Sequence, residues 1–451
     1  VLRATYGGEV LHAAFFFDVR RPTAPEPDLS WDVEGTIPYL GVCNKGKLHA
    51  YLATGSSGKL TRPIVMAEGF GGGNTAQGMF DRLNGWNGTG FNPDARLADA
   101  LRDRGFDLVF FLYEPGKAND PIQRSAFTYL EGVKSVWERM GRAGKMIVSG
   151  ASMGGLVTRY ALSYAQHHGI DVGTVAGMLT FDTPNLGAVV PYAVQASVRF
   201  FAPASQTARD TCALLDTHAA RQMLMYQRWT HDQDEVSEKP EFTGFFRELQ
   251  GLAGKGYPTA PRKLAIANGA GNGASSMPPL TRGMYWWLGG YHAPLAKADL
   301  YSLPNGSGKE ECAAWIAAIS VRWPGRNYWV YAGMNGRDGC SGGLSGFFGQ
   351  MADGFRAIGK GGVEEKHRLG CFIPTHSALG YAVKDAYAFR ADQLSPSLTP
   401  FHAFGTPASA NLGHCVVDSA LRQWAVDHLV PIVAEAEPSE VAADEPEAAA
   451  V

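Results

Sequence analysis

The segment Lys145-Met-Ile-Val-Ser-Gly-Ala-Ser-Met-Gly-Gly-Leu-Val-Thr-Arg-Tyr160 constrains this chain more than any other. A short β-branched run, Ile147-Val148, leads into Gly150-Ala-Ser-Met-Gly154, and a helical pattern runs from Gly155 to about Gln166. Strand, G-x-S-x-G and helix in that order hold a serine on a sharp, strained turn. Glycines two places before and after Ser152 let strand and helix approach closely, so that the hydroxyl projects alone. A glycine-rich turn with an incidental serine has the same five letters. The strand before the turn and the helix after it favour a nucleophile.

The rest of the chain supplies a sheet for that turn. Ile64–Ala67, Asp107–Leu112, residues 145–149, Met178–Phe181 and Lys263–Ala267 are apolar runs of strand length. Helical patterns stand between them at Asp94–Arg104 and Ser125–Met140. Continuous apolar strands alternating with amphipathic helices predict an α/β fold with a mostly parallel central sheet covered on both faces. Residues 1–60 read as a β-rich extension of that sheet, with strands at 9–20 and 47–54. The core is expected from 61–190, 263–273 and 370–433, ending in a strand at Pro400–Gly405 and a helix at Val416–Val433. Residues 191–262, apolar from Pro191 to Phe201 and helical at 207–230 and Glu241–Leu252, form a helical insertion that reads equally as a lid or as fixed cover. Residues 274–369 form a second, Gly- and Trp-rich insertion, with strand-like Met284–Leu288 and Asn327–Tyr331. Residues 434–451 are rich in Ala, Glu and Pro without an aromatic, which predicts a disordered acidic tail.

A serine needs a base, a group that orients the base, and donors for the developing oxyanion. The N–H of Met153 is the first donor expected. The loop after an early strand supplies the second, and Glu68-Gly-Phe-Gly-Gly-Gly73 places Phe70 there. The base is expected between the last strand and the last helix, where His414 stands. His376 is its rival, while His402 and His428 fall inside a strand and a helix. His167 and His168 end the helix after the turn, where positive charge suits the helix dipole. For the acid, the strand ending at Ala267 runs into Asn268-Gly-Ala-Gly-Asn-Gly273 without a carboxylate. Asp182, in Phe181-Asp-Thr-Pro-Asn-Leu-Gly187, completes the order Ser, Asp, His. Its other reading is a cap on the following turn, and Asp338 and Asp353 are rivals. Glu68 reads as a loop anchor or as a buried ion pair. Tyr113, at the end of a sheet strand, reads as a pocket wall or as packing. Trp286, Trp287, Tyr328 and Trp329 read as core or as a groove for an apolar or polymeric substrate.

The turn at Ser152, the Glu68-Gly-Phe loop and the Thr183-Pro-Asn-Leu-Gly187 segment together resemble the α/β-hydrolase superfamily, and within it bacterial lipases and esterases. The resemblance covers about residues 60–190 and 370–433; neither insertion matches it. Two departures stand out. Glu68 occupies a place where His is common, and Gly370 stands where some lipase-like chains carry the acid. The resemblance implies a serine carboxylic-ester hydrolase acting on apolar or aromatic esters through an acyl-enzyme, with Ser152, His414 and Asp182 as triad and Phe70 and Met153 as oxyanion donors. It implies no cofactor. Polyester hydrolysis, acyl transfer, thioester or peptide hydrolysis would use the same residues, and a binding protein on a hydrolase scaffold is the reading from another class.

Composition narrows the remaining classes. The net charge of −3 gives no reason to expect nucleic acid, and no cationic run suggests an anionic membrane surface. No stretch approaches the roughly 20 apolar residues of a spanning helix. The loop at 71–73 lacks the Lys-Ser/Thr of a phosphate-binding loop. No His, Cys or acidic cluster has metal-ligand spacing, and none of the six cysteines forms a C-x-x-C pair. The even cysteine count and the start at Val1 predict a processed, secreted or periplasmic chain with up to three disulfides; six reduced buried thiols are the other reading. Oligomeric state is not written in these features.

Overall fold

The computed structural model describes residues 2–6, 9–13, 24–86, 90–203, 205–228, 239–290, 293–303, 311–318, 326–332, 336–356 and 360–434. The predicted tail at 434–451 and the second half of the predicted strand at 9–20 fall outside them, apart from Ala434.

Strands β1 (Leu2–Tyr6) and β2 (Glu9–Ala13) form a separate antiparallel hairpin. The main sheet has eight strands: β3 (Leu29–Glu34), β4 (Lys45–Tyr51), β5 (Pro63–Ala67), β6 (Asp107–Tyr113), β7 (Met146–Ala151), β8 (Val175–Phe181), β9 (Arg262–Ile266) and, last in the chain, a short strand at Ala403–Gly405. Across the sheet the order is β3-β4-β6-β5-β7-β8-β9 and then Ala403–Gly405. β4 pairs antiparallel with β3 and with β6, and every later pairing is parallel. β5 is buried at all five positions and β7 at its first five, as strands covered on both faces must be.

Helices α1 (Ala76–Leu83), α2 (Leu97–Arg102), α3 (Ile122–Arg139) and α4 (Met153–His168) fill the connections up to β8. The α3 and α4 side of the sheet buries Leu130, Val133, Leu156 and Tyr160, and the opposite side buries Phe80, Leu101, Leu421 and Leu429. Tyr129 of α3 reaches through the apolar layer to donate its hydroxyl to the Val65 carbonyl at 2.8 Å. α4 ends at Gly169, whose φ of 64° makes the left-handed cap that glycine adopts without strain.

Among the described residues five helices lie between β8 and β9: α5 (Tyr192–Phe201), α6 (Gln206–Leu215), α7 (His218–Met223), α8 (Pro240–Gly251) and the single turn α9 (Ala253–Gly256). The sequence predicts one helix over 207–230, but the chain breaks at Asp216-Thr217. There Thr217 turns to extended backbone and its Oγ1 accepts from the Ala220 N–H, starting α7 afresh. The second insertion carries β10 (Arg282–Gly290), β11 (Ala293–Tyr301), β12 (Glu311–Ala318), β13 (Arg326–Ala332), β14 (Gly342–Ser345), α10 (Phe347–Arg356) and β15 (Lys360–Gly362). Here β13-β12-β11-β10-β15 make a five-stranded antiparallel sheet. Trp286 is buried, edge-on to Phe201 of α5 with ring centroids 6.0 Å apart, whereas Trp287 stacks on Tyr285. β16 (Gly370–Pro374) stays out of the main sheet and pairs with β14. The short helix α11 (Thr375–Ala378), the strand Ala403–Gly405, now β17, and α12 (Ser419–Ala434) complete the chain. No helix among the described residues is long and apolar enough to cross a membrane.

One buried carboxylate ties the antiparallel edge to the parallel core. Asp107, fully buried at the start of β6, accepts from the backbone N–H groups of Ala53 (2.9 Å), Thr61 (2.6 Å) and Arg62 (3.1 Å). Removing it strands three donors away from water. Asp107→Ala is therefore expected to lower unfolding free energy by about 3 kcal/mol, read from the shift in urea midpoint at constant slope.

Candidate active site

The turn after β7 is sterically forced. Ser152 has φ 56° and ψ −128°, a conformation costly for any residue with a Cβ. A Cβ on Gly150 would lie 2.0 Å from the Gly154 carbonyl carbon. One on Gly154 would lie 2.3 Å from the Ala67 oxygen, and one on Gly155 would lie 1.9 Å from Thr183 Oγ1. The three glycines thus let α4 press against the ends of β5 and β8. Ser152 is held by its own N–H donating to the Phe181 carbonyl at 2.9 Å. Met153 follows in the first turn of α4, where backbone N–H groups lack intrahelical partners.

The loop after β5 faces the serine. A Cβ on Gly69 would sit 3.2 Å from Ser152 Cβ and 3.7 Å from its Oγ, so the loop backbone packs directly on the serine side chain. Phe70 follows and lines the cavity beside Ser152. Glu68 is buried and anchors the loop: Oε1 accepts from the Tyr113 N–H at 2.8 Å and Oε2 from Asn74 Nδ2 at 3.1 Å. Burial pushes its pKa up to about 7 despite those two donors, so both the neutral and the ionised carboxyl are populated at neutral pH. Tyr113 departs from its predicted place as a pocket wall. It is in the core, its ring edge-on to Phe111 with centroids 5.2 Å apart, and it serves the loop through its backbone N–H to Glu68. Residues at the end of a covered strand alternate between the two faces, and Tyr113 falls on the packed one.

Asp182 stands at the end of β8 with φ 44° and no exposure. Its N–H donates to the Ile266 carbonyl at 2.7 Å, its Oδ1 accepts from the Asn268 N–H at 3.0 Å, and its Oδ2 lies 2.6 Å from His414 Nδ1. An ionised carboxylate can only accept, so Nδ1 keeps its proton in the neutral ring and Nε2 is the nitrogen that gains or loses one. Ser152 and His414 line the same cavity, of about 260 Å³. Burial pushes the imidazole pKa down, but the Cys415 sulfur and the Asp182 carboxylate outweigh it and hold His414 above its ordinary range.

The second insertion braces this histidine. The Leu344 N–H of β14 donates to the Leu412 carbonyl and the His414 N–H to the Leu344 carbonyl, each at 2.9 Å. A Cβ on Gly343 would lie 1.9 Å from Asp182 Oδ2, so β14 lies directly on the carboxylate. Phe372 of β16 sets its ring edge-on to the imidazole at 4.9 Å. Cys415, a neighbour that sequence reasoning passed over, puts its sulfur 3.5 Å from Nε2 and 3.7 Å from Nδ1. The signal was its place directly after His414. Asp182, His414 and Cys415 bring ligand atoms within 4.8 Å of one another. Nδ1 and Oδ2 are already committed to each other, so as arranged the trio is a hydrogen-bonded pair with a thiol beside it.

The rivals lie elsewhere. His376 is buried away from the cavity, its pKa pushed down to about 3 by burial and by the Arg337 charge. Asp338 is buried and accepts from the Leu303 N–H at 2.9 Å, and Asp353 pairs with Arg368.

A sheet in this strand order, with a serine on a strained turn after its fifth strand position, is the α/β-hydrolase fold. No protein-family model matches the chain, and no curated protein matches it. Among solved structures it is similar to an esterase of Pyrobaculum calidifontis, at 16% identity over 53% of this chain and 67% of that one, TM-score 0.30. It is also similar to the metagenomic carboxylesterase EstE1, at 14% identity over 55% and 70%, TM-score 0.29. A third is the mature Bacillus licheniformis lipase BlEst2, at 14% identity over 60% and 77%, TM-score 0.27.

The bond between Asp182 and His414 has a direct readout. In an NMR titration the His414 ring is expected to take up its proton at a pH above the ordinary imidazole value of about 6.5. Asp182→Asn removes the acceptor charge that favours the imidazolium, so the midpoint is expected to fall. An unchanged midpoint would separate the two groups in solution.

Proposed function

We propose that this protein is a serine carboxylic-ester hydrolase. The observation that carries the reading is the 2.6 Å contact of His414 Nδ1 with the buried Asp182, with the histidine lining one cavity with Ser152. Ser152 Oγ attacks the ester carbonyl while His414 Nε2 takes its proton, and Asp182 stabilises the imidazolium that forms. The Met153 and Phe70 N–H groups receive the oxyanion, and expulsion of the alcohol leaves an acyl group on Ser152. Water, deprotonated by the same histidine, then releases the acid. The chemistry uses no cofactor.

A panel of p-nitrophenyl esters, thioesters and amides tests the reading, with esters expected to turn over fastest. Ser152→Ala and His414→Ala are each expected to lower kcat by about 10⁴-fold or more, and Asp182→Asn by about 10³ to 10⁴-fold, with far-UV circular dichroism unchanged. Near-full turnover by Asp182→Asn would remove it from the triad. Ester turnover that persisted unchanged in Ser152→Ala would remove the mechanism.

We also infer an oxidising compartment for the folded chain. No two described cysteines are at bonding distance, but Cys340 and Cys371 are both fully buried with sulfurs 3.7 Å apart. Loss of both thiol hydrogens to the disulfide of an exchange catalyst would join them. Closing that 31-residue separation would stabilise the fold by about 3 to 4 kcal/mol. Peptide mapping of secreted protein under non-reducing conditions is expected to recover the 340–371 cross-link. Free thiols at both positions would refute it.

A further inference from the structure

A second chamber of about 410 Å³ adjoins the Ser152 cavity. The two insertions build it: Val194 and Val198 of α5, Leu215 of α6, Met223 of α7 and Met351 of α10 are among its walls. Among the described residues its polar lining is Thr207, Thr211 and Gln350, with no charged side chain. Two rings, Phe70 and Phe372, line both spaces. Phe70 belongs to the loop that faces Ser152, and Phe372 lies edge-on to His414, so the two rings shared by the chambers stand beside the Ser152 and His414 side chains. The Ser152 cavity is mixed in character: Glu68, Asn74 and Arg82 line it beside Met66, Met79 and Leu83.

We propose that the apolar chamber is an acyl site, which takes the aliphatic chain of an ester whose carbonyl sits at Ser152, while the alcohol leaves past Asn74 and Arg82. The proposal rests on the ester-hydrolase reading and names its substrate class: esters of medium to long unbranched fatty acids. An uncharged aliphatic wall favours an alkyl chain and disfavours a hydrated alcohol. A cavity of about 150 Å³ holds a benzene ring, so this chamber takes a chain on the order of ten to fifteen carbons. Each methylene moved from water into such a wall is worth up to about fourfold in binding. The assignment gives the two insertions, which match no family, a part in substrate choice.

The test is two length series on the native chain: p-nitrophenyl acyl esters from acetate to palmitate, and alkyl acetates from ethyl to decyl. The expected result is a kcat/KM that climbs with acyl length to about decanoate, by about a hundredfold or more over acetate, with little dependence on alcohol length. Two filling variants on separate walls, Val194→Phe and Thr211→Trp, are each expected to cut the decanoate-to-acetate ratio about tenfold or more. Acetate turnover without acyl-length dependence overturns the chamber assignment and leaves the hydrolase reading standing. So does a length dependence that follows the alcohol. Absence of turnover on every ester overturns the hydrolase reading, and the acyl assignment with it. The native series decides even if a filling variant does not fold.

Discussion

The Asp182 carboxylate is the constraint around which this molecule is arranged. A fully buried charge is tolerable only where donors surround it. Its donors come from parts of the chain far apart in sequence: the Asn268 N–H after β9 and the His414 ring in the last loop, 232 residues away. Neither can be supplied unless β8 and β9 are paired in register and the last loop has come back across them. The Asp182 N–H to Ile266 carbonyl bond belongs to the same register. Correct assembly of the sheet and assembly of the site are therefore one event. An error in either leaves an uncompensated charge in the interior.

The same carboxylate explains why the second insertion is more than an appendage. β14 leaves the insertion to lie on Asp182 through Gly343, and its Leu344 exchanges backbone hydrogen bonds with residues 412 and 414. β16, paired with it, brings Phe372 to the imidazole and accepts the Val189 N–H at the Phe372 carbonyl. The histidine is thus fixed from three sides: the carboxylate, a strand that holds its backbone, and a ring that limits its rotation. In the proposed mechanism a base held this way spends little freedom when it reacts, which is how preorganised sites gain rate.

Much of this was legible in sequence because the relevant signals are local and steric. Gly150, Gly154 and Gly155 announce a close approach, and the structure finds carbonyls and Thr183 within 1.9 to 2.3 Å of where their Cβ atoms would be. The buried parallel strands announce themselves by unbroken apolar runs, because both faces are covered. Chain order led to the expectation that Asp182 and His414 meet, and their side chains hydrogen-bond. What stayed hidden depends on long-range partners. Cys371 to Pro374 reads as any strand, and only the presence of β14 takes it out of the main sheet. Tyr113 reads as a pocket residue until the face on which it falls is known. The 207–230 helix reads as continuous because its apolar spacing does not register that Thr217 caps a new start. The chamber between the insertions needs four separate helices to exist and leaves no mark on any one of them.

The site also concentrates strain. Ser152, Asp182 and Cys415 have positive φ, at 56°, 44° and 57°, and they stand at, or next to, each member of the proposed triad. A non-glycine residue held in such backbone costs on the order of 1 to 3 kcal/mol and persists only where its surroundings over-determine it. Here they do: Ser152 and Asp182 each donate a backbone N–H to the neighbouring strand, and Cys415 is buried against the Phe181 carbonyl with its sulfur 3.7 Å away. The strain turns the side chains of Ser152 and Cys415 toward one cavity and that of Asp182 toward the histidine that lines it. The core packed on both faces of the sheet supplies the stability that holds them there.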